Sequence, residues 1–326
     1  MEDQMKKKKN SRKRKRLKRK LASMTAMVLV LMLGILGTMA YLSTVSNEKH
    51  NTFTGSKGIS LKLTEPGWDA NDNGNADDGD GMKEAGNYTP GKTITKDPKL
   101  TNDTGTTGGD STATEWVAIA VSYWIGNNAS TISYKPVSYE AMKYLIEDIV
   151  FYNSAAATAA SDSSGGYWIP IYVTTQASDG AIDKNNITLT DNSRTNSQAF
   201  AIYLYNNTLA NGASTHTLFD EIEIRDTTDL EATMNGLSAL TTYVGGTTGG
   251  FITNAYAVNG NLPGFKIDVI GAAVQNEYDD KDNSGTLATS VSQLSDDNKS
   301  QLIKDLVEVI GPKINADVRK VGGTTP

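Results

Sequence analysis

The clearest strand signal in the chain is Glu115-Trp-Val-Ala-Ile-Ala-Val-Ser-Tyr-Trp-Ile125. Branched and aromatic residues alternate along it with small or amphipathic residues, which is the two-residue period of a β-strand. We therefore expect one buried face on this strand. That face carries Val117, Ile119, Val121, Tyr123 and Ile125.

Short apolar segments of the same kind recur along the chain, separated by clusters of Gly, Asn, Asp, Thr and Ser that are typical of turns. This spacing favours a jelly-roll-like antiparallel β-sandwich over a parallel sheet. The further predicted strands are Ile59–Leu63, Thr93–Leu100, Trp168–Val173, Phe200–Tyr205, Leu218–Ile224 and Phe265–Val274.

A few helices are expected to cover the sheets. Apolar residues at helical spacing predict helices over Tyr139–Phe151 and Asp229–Leu240. A C-terminal helix over Ser295–Ile310 has Ser295 as its N-cap and Gly311-Pro312 as its stop. We accordingly expect a sandwich domain over residues 41–294 and a C-terminal helix and tail over residues 295–326.

The first forty residues are typical of a signal peptide. A basic n-region over residues 6–20 precedes an apolar h-region over residues 21–36, and the small-residue ending Gly37-Thr38-Met39-Ala40 predicts cleavage between Ala40 and Tyr41. The alternative is an uncleaved anchor formed by residues 21–42, which is long enough to cross a bilayer. Membrane contact is expected only through this segment.

The charge distribution argues against a nucleic-acid partner. Residues 1–40 hold 12 of the 31 Lys and Arg, so the rest of the chain has 19 of these against 35 Asp and Glu, a net charge of −16. Such a surface repels phosphate backbones. The chain has no cysteine, which excludes disulfides, thiolate zinc sites and cysteine nucleophiles.

Several blocks of the chain, taken in order, carry a resemblance to a known family. The blocks are Gly37–Ser43, Asn51–Gly55, Ile59–Pro66, the Pro-Gly turn and following strand in Tyr88–Pro98, Leu218–Asp220, and Phe265–Gln275. Together they resemble the TasA/camelysin family of exported proteins from Gram-positive bacteria. The segment from Asn283 onward has no counterpart in that resemblance.

The resemblance implies a secreted β-sandwich that assembles into fibres of a biofilm matrix, with self-association, other matrix proteins and a dedicated signal peptidase as partners. It implies no enzymatic activity by itself. Some relatives have been described as metalloproteases, but this chain has no His-Glu-x-x-His, and His50 and His216 lie far apart. A camelysin-like metalloprotease is therefore disfavoured, and both histidines are expected in solvated loops.

One acidic segment has the spacing of a calcium loop. Counted from Asp69, oxygen-bearing side chains fall at positions 1, 3, 5, 9 and 12, with Gly74 at the sharp turn and a backbone carbonyl at position 7. The alternative is a flexible acidic insertion. The candidate ligands are Asp69, Asn71, Asn73, Asn75, Asp77 and Asp80. Asp280-Lys-Asp282-Asn-Ser284-Gly285 repeats only the first half of this pattern and predicts a solvated turn.

Other candidate sites have ordinary structural explanations. Glu221 and Glu223 are expected on one solvated strand face. Trp116, Trp124 and Trp168 are expected in the core. Trp68, beside the acidic loop, leaves open a glycan-binding platform.

The segment freed by cleavage after Ala40 is a candidate donor strand, because it is short, nearly uncharged and able to pair with the sheet edge of a neighbouring molecule. It consists of Tyr41, Leu42, Ser43, Thr44, Val45 and Ser46. We therefore expect a secreted structural protein without catalytic activity. The alternative is a monomeric, calcium-shaped module at the cell surface that binds glycan or protein.

Overall fold

The computed structural model describes the chain from residue 50 onward, with gaps. The predicted signal peptide, the cleavage site, the donor strand and the predicted helix Asp229–Leu240 lie outside the described residues. Among the described residues, no helix has the length and apolar character needed to cross a membrane. The described ranges are 50–53, 59–69, 71, 81–86, 88–105, 112–126, 134–143, 145–149, 166–190, 192–226, 264–282 and 285–322.

Strands dominate the described residues, and helices are few and mostly short. The strands are β1 (His50–Phe53), β2 (Ile59–Thr64), β3 (Thr93–Thr95), β4 (Lys99–Asn102), β5 (Glu115–Gly126), β6 (Tyr134–Pro136), β7 (Ile146–Ile149), β8 (Trp168–Thr175), β9 (Ile182–Leu189), β10 (Phe200–Tyr205), β11 (Glu221–Ile224) and β12 (Phe265–Gln275). The helices are α1 (Gly81–Gly86), α2 (Tyr139–Met142), α3 (Asn192–Thr195), α4 (Asp296–Ile310) and α5 (Ala316–Lys320), with 3₁₀ turns at Val291–Gln293 and Gly311–Lys313.

All strand pairs are antiparallel, which confirms the predicted mainly β, antiparallel fold class. The large sheet has the order β12-β5-β10-β8-β9, with β6 also paired to β5. The other strands of the described ranges form two three-stranded sheets, β1-β2-β4 and β3-β11-β7. The strand β5 pairs with β12 over 11 residues and with β10 over 5, so it holds the large sheet together.

The inner core lies between the large sheet and the two small ones. It contains the side chains that were predicted on the buried face of β5, together with apolar residues of β2, β3, β7, β11 and β12. Contact is close at Gly271 of β12, where an added Cβ would lie 2.6 Å from Leu100 Cδ2 and 3.3 Å from Leu61 Cδ2. The strands β2 and β4 therefore lie directly over β12.

A second core lies on the other face of the large sheet, so the expectation of a single buried face on β5 is wrong. Trp116, Ala118 and Ala120 of β5 pack there with Leu302 and Leu306 of α4. Every residue of β5 is buried as a result. Trp116, Trp124 and Trp168 are all buried, as predicted.

The C-terminal helix forms as predicted. Ser295 caps α4 by accepting a hydrogen bond from the Asn298 backbone N–H, and Asp296 and Asp297 occupy its first turn, where the helix dipole favours negative charge. The helix ends at Ile310, before Gly311 and Pro312. Its buried residues are Leu302, Ile303, Leu306, Val307 and Ile310.

Two predicted elements are interrupted. The expected strand Thr93–Leu100 is divided into β3 and β4, which belong to different sheets, because the chain crosses between them at Lys96–Pro98. The expected helix Tyr139–Phe151 stops at Met142, and the chain continues as β7, which pairs with β11. Residues 150 and 151 lie outside the described residues.

A buried carboxylate sits at the start of β5. Glu115 is fully buried, and its Oε1 accepts a hydrogen bond of 2.6 Å from Thr104 Oγ1. Burial raises the pKa of Glu115 to about 7, against the opposing effect of this hydrogen bond. Because the folded state retains a proton that the unfolded state releases near pH 4.5, this group favours folding at low pH and loses that contribution as the pH rises to about 7.

We therefore expect Glu115→Gln to become more stable relative to the wild type as the pH rises from 4.5 to 7.5. The difference in unfolding free energy should grow by roughly 3 kcal/mol, since each pKa unit corresponds to about 1.4 kcal/mol. Urea unfolding at several pH values measures it. Glu221→Gln, at an exposed position of β11, is the control. If the unfolding free energies of Glu115→Gln and the wild type had the same pH dependence, the raised pKa of Glu115 would be contradicted.

Candidate functional site

The two ends of the acidic loop meet at one place in the structure. The Gly81 N–H donates to the Gly67 carbonyl at 2.9 Å, and the Met82 N–H donates to the Trp68 carbonyl at 3.1 Å. Gly81 is required at this return, because an added Cβ would lie 1.8 Å from the Thr95 carbonyl oxygen of β3. The acidic loop thus leaves and re-enters the sandwich at a fixed base.

A half-buried carboxylate organises the outgoing end of that base. Asp97 Oδ1 accepts backbone hydrogen bonds from Gly67 at 2.7 Å and from Trp68 at 3.2 Å. Burial raises the pKa of Asp97 despite these two bonds, and the nearby Glu65 and Asp220 carboxylates raise it further. The base is therefore a region where negative charge accumulates.

A buried ion pair lies beneath the same turn. Lys96 Nζ is 2.8 Å from Glu65 Oε1, and both side chains are only 5% exposed. The same ammonium group lies 4.5 Å from the centre of the Trp68 ring, within the range of a cation–π contact. Lys96 thereby joins the crossing between β3 and β4 to the residues that precede the acidic loop.

Trp68 is 2% exposed and belongs to the inner core. The neighbouring cavity, lined by Trp68, Lys96, Phe265 and others, holds only about 10 Å³. That is room for a water-sized molecule and not for a sugar ring. A glycan platform at Trp68 is therefore wrong.

The calcium prediction falls mainly outside the described residues. Asp69 is buried at the base of the loop and Asn71 is exposed, whereas Asn73, Asn75, Asp77 and Asp80 lie outside. Within the described ranges, no group of three or more His, Asp or Glu side chains is placed to hold a metal ion. Calcium binding at residues 69–80 stays a prediction.

The second acidic segment forms a turn, as predicted. The Asp280 N–H donates to the Thr286 carbonyl at 2.9 Å, and Asp279 pairs with Leu287. Lys281 and Asp282 are exposed.

The two histidines are separated in the fold, and neither is in a fully solvated loop. His50 begins the edge strand β1, and His216 is half-buried in the segment after β10. Glu221 and Glu223 are exposed on one face of β11, as predicted.

Among the described residues, the edge strands β1 and β9 lie on opposite sides of the sandwich. The sheet β1-β2-β4 continues past β4 through the bridge between Thr101 and Ser214, and nearby Thr217 accepts a hydrogen bond of 3.1 Å from the Trp168 indole of β8. This sheet therefore runs from β12 toward β8 and leaves β1 at the far side. The opposite edge is β9, whose only strand partner among the described residues is β8.

Breaking the buried ion pair should be costly. Lys96→Met leaves the Glu65 carboxylate buried without its cation, and we expect a loss of roughly 3–5 kcal/mol in unfolding free energy. The double variant Lys96→Met/Glu65→Leu should lose much less. Lys320→Met, which breaks an exposed pair with Asp317 of similar length, should cost no more than about 1 kcal/mol. Chemical denaturation compares the three, and equal losses for both single variants would refute a structural role for the pair.

Calcium binding is testable on the purified mature chain, residues 41–326. Titration calorimetry should detect weak uptake, with a Kd of about 10⁻⁴ to 10⁻³ M as in extracellular calcium modules. Asp69→Ala combined with Asp77→Ala should abolish the heat signal while leaving the far-UV circular dichroism unchanged. Asp282→Ala, in the incomplete second segment, is the control. Indistinguishable calcium uptake by the wild type and the double variant would mean that the loop is only an acidic insertion.

No protein-family model matches this chain, and neither the curated proteins nor the solved structures give a significant match.

Proposed function

We propose that this chain is a secreted structural protein, a subunit or accessory of extracellular matrix fibres, which assembles by strand addition and has no catalytic activity. The proposal combines the resemblance to the TasA/camelysin family with the placement of the sheet edges. Its partners are other copies of itself and other matrix proteins. The observation that carries it is the position of β1.

The strand β1 lies at the edge of its sheet, and the donor segment Tyr41–Ser46 precedes it by only a few residues. Cleavage after Ala40 would release this segment at the rim of the sandwich. An extended segment that leaves from an edge can reach a neighbouring molecule without removing any strand from its own core. Backbone groups on an open sheet edge supply the hydrogen bonds for such pairing.

Export follows from the signal segment. Its basic residues would stay on the cytoplasmic side, and a signal peptidase would release residues 41–326 to the extracellular or cell-surface matrix. If residues 21–42 instead remained as an anchor, the donor segment would stay at the membrane. The proposal therefore depends on cleavage.

A monomeric, calcium-shaped binding module at the cell surface is the second candidate. The fixed base of the acidic loop favours it, because hydrogen bonds at both ends reduce the number of conformations that a ligand must order. This candidate needs calcium uptake but no polymerisation, so the calcium and assembly experiments separate the two functions.

The assembly experiment compares residues 41–326 with residues 47–326. We expect filaments from the longer form in electron microscopy and only monomers from the shorter form, while the melting temperatures agree within a few degrees. Val45→Pro in the longer form should also reduce filament formation, because proline cannot donate a hydrogen bond to a strand partner. Ser46→Ala is the matched control. Filaments that persist after deletion would rule out this segment as the linker.

A further inference from the structure

We propose that the free edge of β9, together with the groove between β9 and the C-terminal helices, is the docking site for residues Tyr41–Glu48 of a second copy of this chain. This inference rests on the proposed function, and it assigns the receiving surface that strand addition requires.

The strand β9 has the properties of a receiving edge. It is eight residues long, and the consecutive residues Asp183–Asn186 are exposed. Within the described part of the chain, its backbone pairs with β8 alone. Its pairing with β8 is regular over Ile187–Leu189 and shifts in register before them, where Asp183–Asn186 lie opposite Thr174 alone. A docked segment would therefore pair with the regular end of this edge and pass the bulge.

A groove of about 370 Å³ runs beside this edge. Its floor includes Ile182 and Ile187 of β9 and Val307 of α4, and its helical wall extends from Gln301 to Pro312. At 1.5 Å per residue that wall is about 16 Å long, which matches roughly five residues of extended chain. The groove therefore suits an elongated segment better than a compact ligand.

Most charged groups of the groove already have partners. Lys184 pairs with Glu308 at 2.9 Å, and Asp305 accepts hydrogen bonds from Tyr278 and Gln301. Arg319 donates to the Gly180 carbonyl at 2.7 Å.

The Lys304 side chain has neither an ion pair nor a hydrogen bond among the described residues. Three basic side chains (Lys184, Lys304 and Arg319) and two acidic ones (Asp305 and Glu308) line the groove, which therefore carries a net positive charge on a protein whose body is strongly acidic. An occupant with an apolar residue and one carboxylate would complement it.

The N-terminal segment has this chemistry. Tyr41–Ser46 has no charged side chain, and Glu48 is the first acidic residue after it. In an extended chain Leu42 and Glu48 lie on the same face, because residues separated by an even number share a face. They are about 20 Å apart, so Leu42 would lie on the floor at the Pro312 end of the groove while Glu48 reaches Lys304 from beyond the Gln301 end.

The segment cannot reach β9 of its own molecule. From β12 to β9 there are four strand spacings, about 19 Å. Only Asn47–Lys49 separate Ser46 from β1, and the step from Ser46 to His50 spans at most about 14 Å. Since β1 lies on the β12 side of the sandwich, docking must occur between copies.

Donor and acceptor on opposite edges form a heterologous contact. Each copy then donates at one side and receives at the other, so the contact propagates into an open chain unless its rotation closes a ring. This geometry produces a filament without a second type of interface.

The first test is a charge exchange in the mature chain, residues 41–326. Lys304→Glu should slow filament formation and raise the critical concentration by about five- to tenfold, on the scale of one exposed ion pair turned repulsive. Adding Glu48→Lys to Lys304→Glu should restore assembly. Lys299→Glu, on the same helix but outside the groove, should leave it unchanged. The docking site would be overturned if the double variant did not restore filament formation, or if Lys299→Glu reduced filament formation as much as Lys304→Glu.

The second test uses the absence of native cysteine. A variant with Thr44→Cys and Asn185→Cys should give a ladder of disulfide-linked multimers on mild oxidation of filaments. The variant with Thr44→Cys and Ser292→Cys, exposed elsewhere, should not. A ladder in both variants, or in neither, would overturn the docking site. If deletion of Tyr41–Ser46 abolishes filaments but both groove tests fail, strand addition stands and the acceptor edge lies elsewhere.

Discussion

The double burial of β5 is the constraint on which the rest of the structure depends. A strand with both faces apolar needs a covering layer on each side, since exposing either face would return a large apolar area to water. The small sheets cover one face through the inner core, and α4 and α5 cover the other. The C-terminal helices are therefore an integral layer of the sandwich, and they also provide one wall of the groove beside β9.

The local apolar pattern was sufficient to predict a strand wherever that strand pairs along its whole apolar run, as in β2, β8, β10 and β12. It failed at Thr93–Leu100, because a continuous alternating run does not reveal that Lys96 turns inward to pair with Glu65 and moves the chain to another sheet. It failed again after Met142, where Ile146 and Ile149 fit both a helical and a strand period. Pairing with β11, more than seventy residues away, decides between them.

The candidate sites also differ in how far local sequence predicts them. Regular spacing of oxygen-bearing side chains within twelve residues predicts a calcium loop, which lies mainly outside the described residues. The base of that loop depends on Asp97 and Thr95, which no local motif connects to it. The groove could not be predicted from the sequence, because its lining combines residues of Ile182–Ile187 with residues of Gln301–Arg319, which lie more than a hundred positions apart. Lys304 in particular is one of two lysines on α4, and only the structure distinguishes them, because Lys299 pairs with Asp296 whereas Lys304 has no ion pair among the described residues.

A sheet edge that binds one particular strand must also avoid pairing with other strands. Natural sheets discourage indiscriminate pairing with charged side chains on their edges, and β9 carries Asp183 and Lys184 among its exposed residues. Two molecules that met through β9 alone would have to bring these charges together without the apolar floor being filled. A segment without charged side chains along its length and with an acidic residue beyond its end would avoid that cost and would add the contact proposed at Lys304. In the proposed assembly, selectivity would thus come from the polar edge and affinity from the groove.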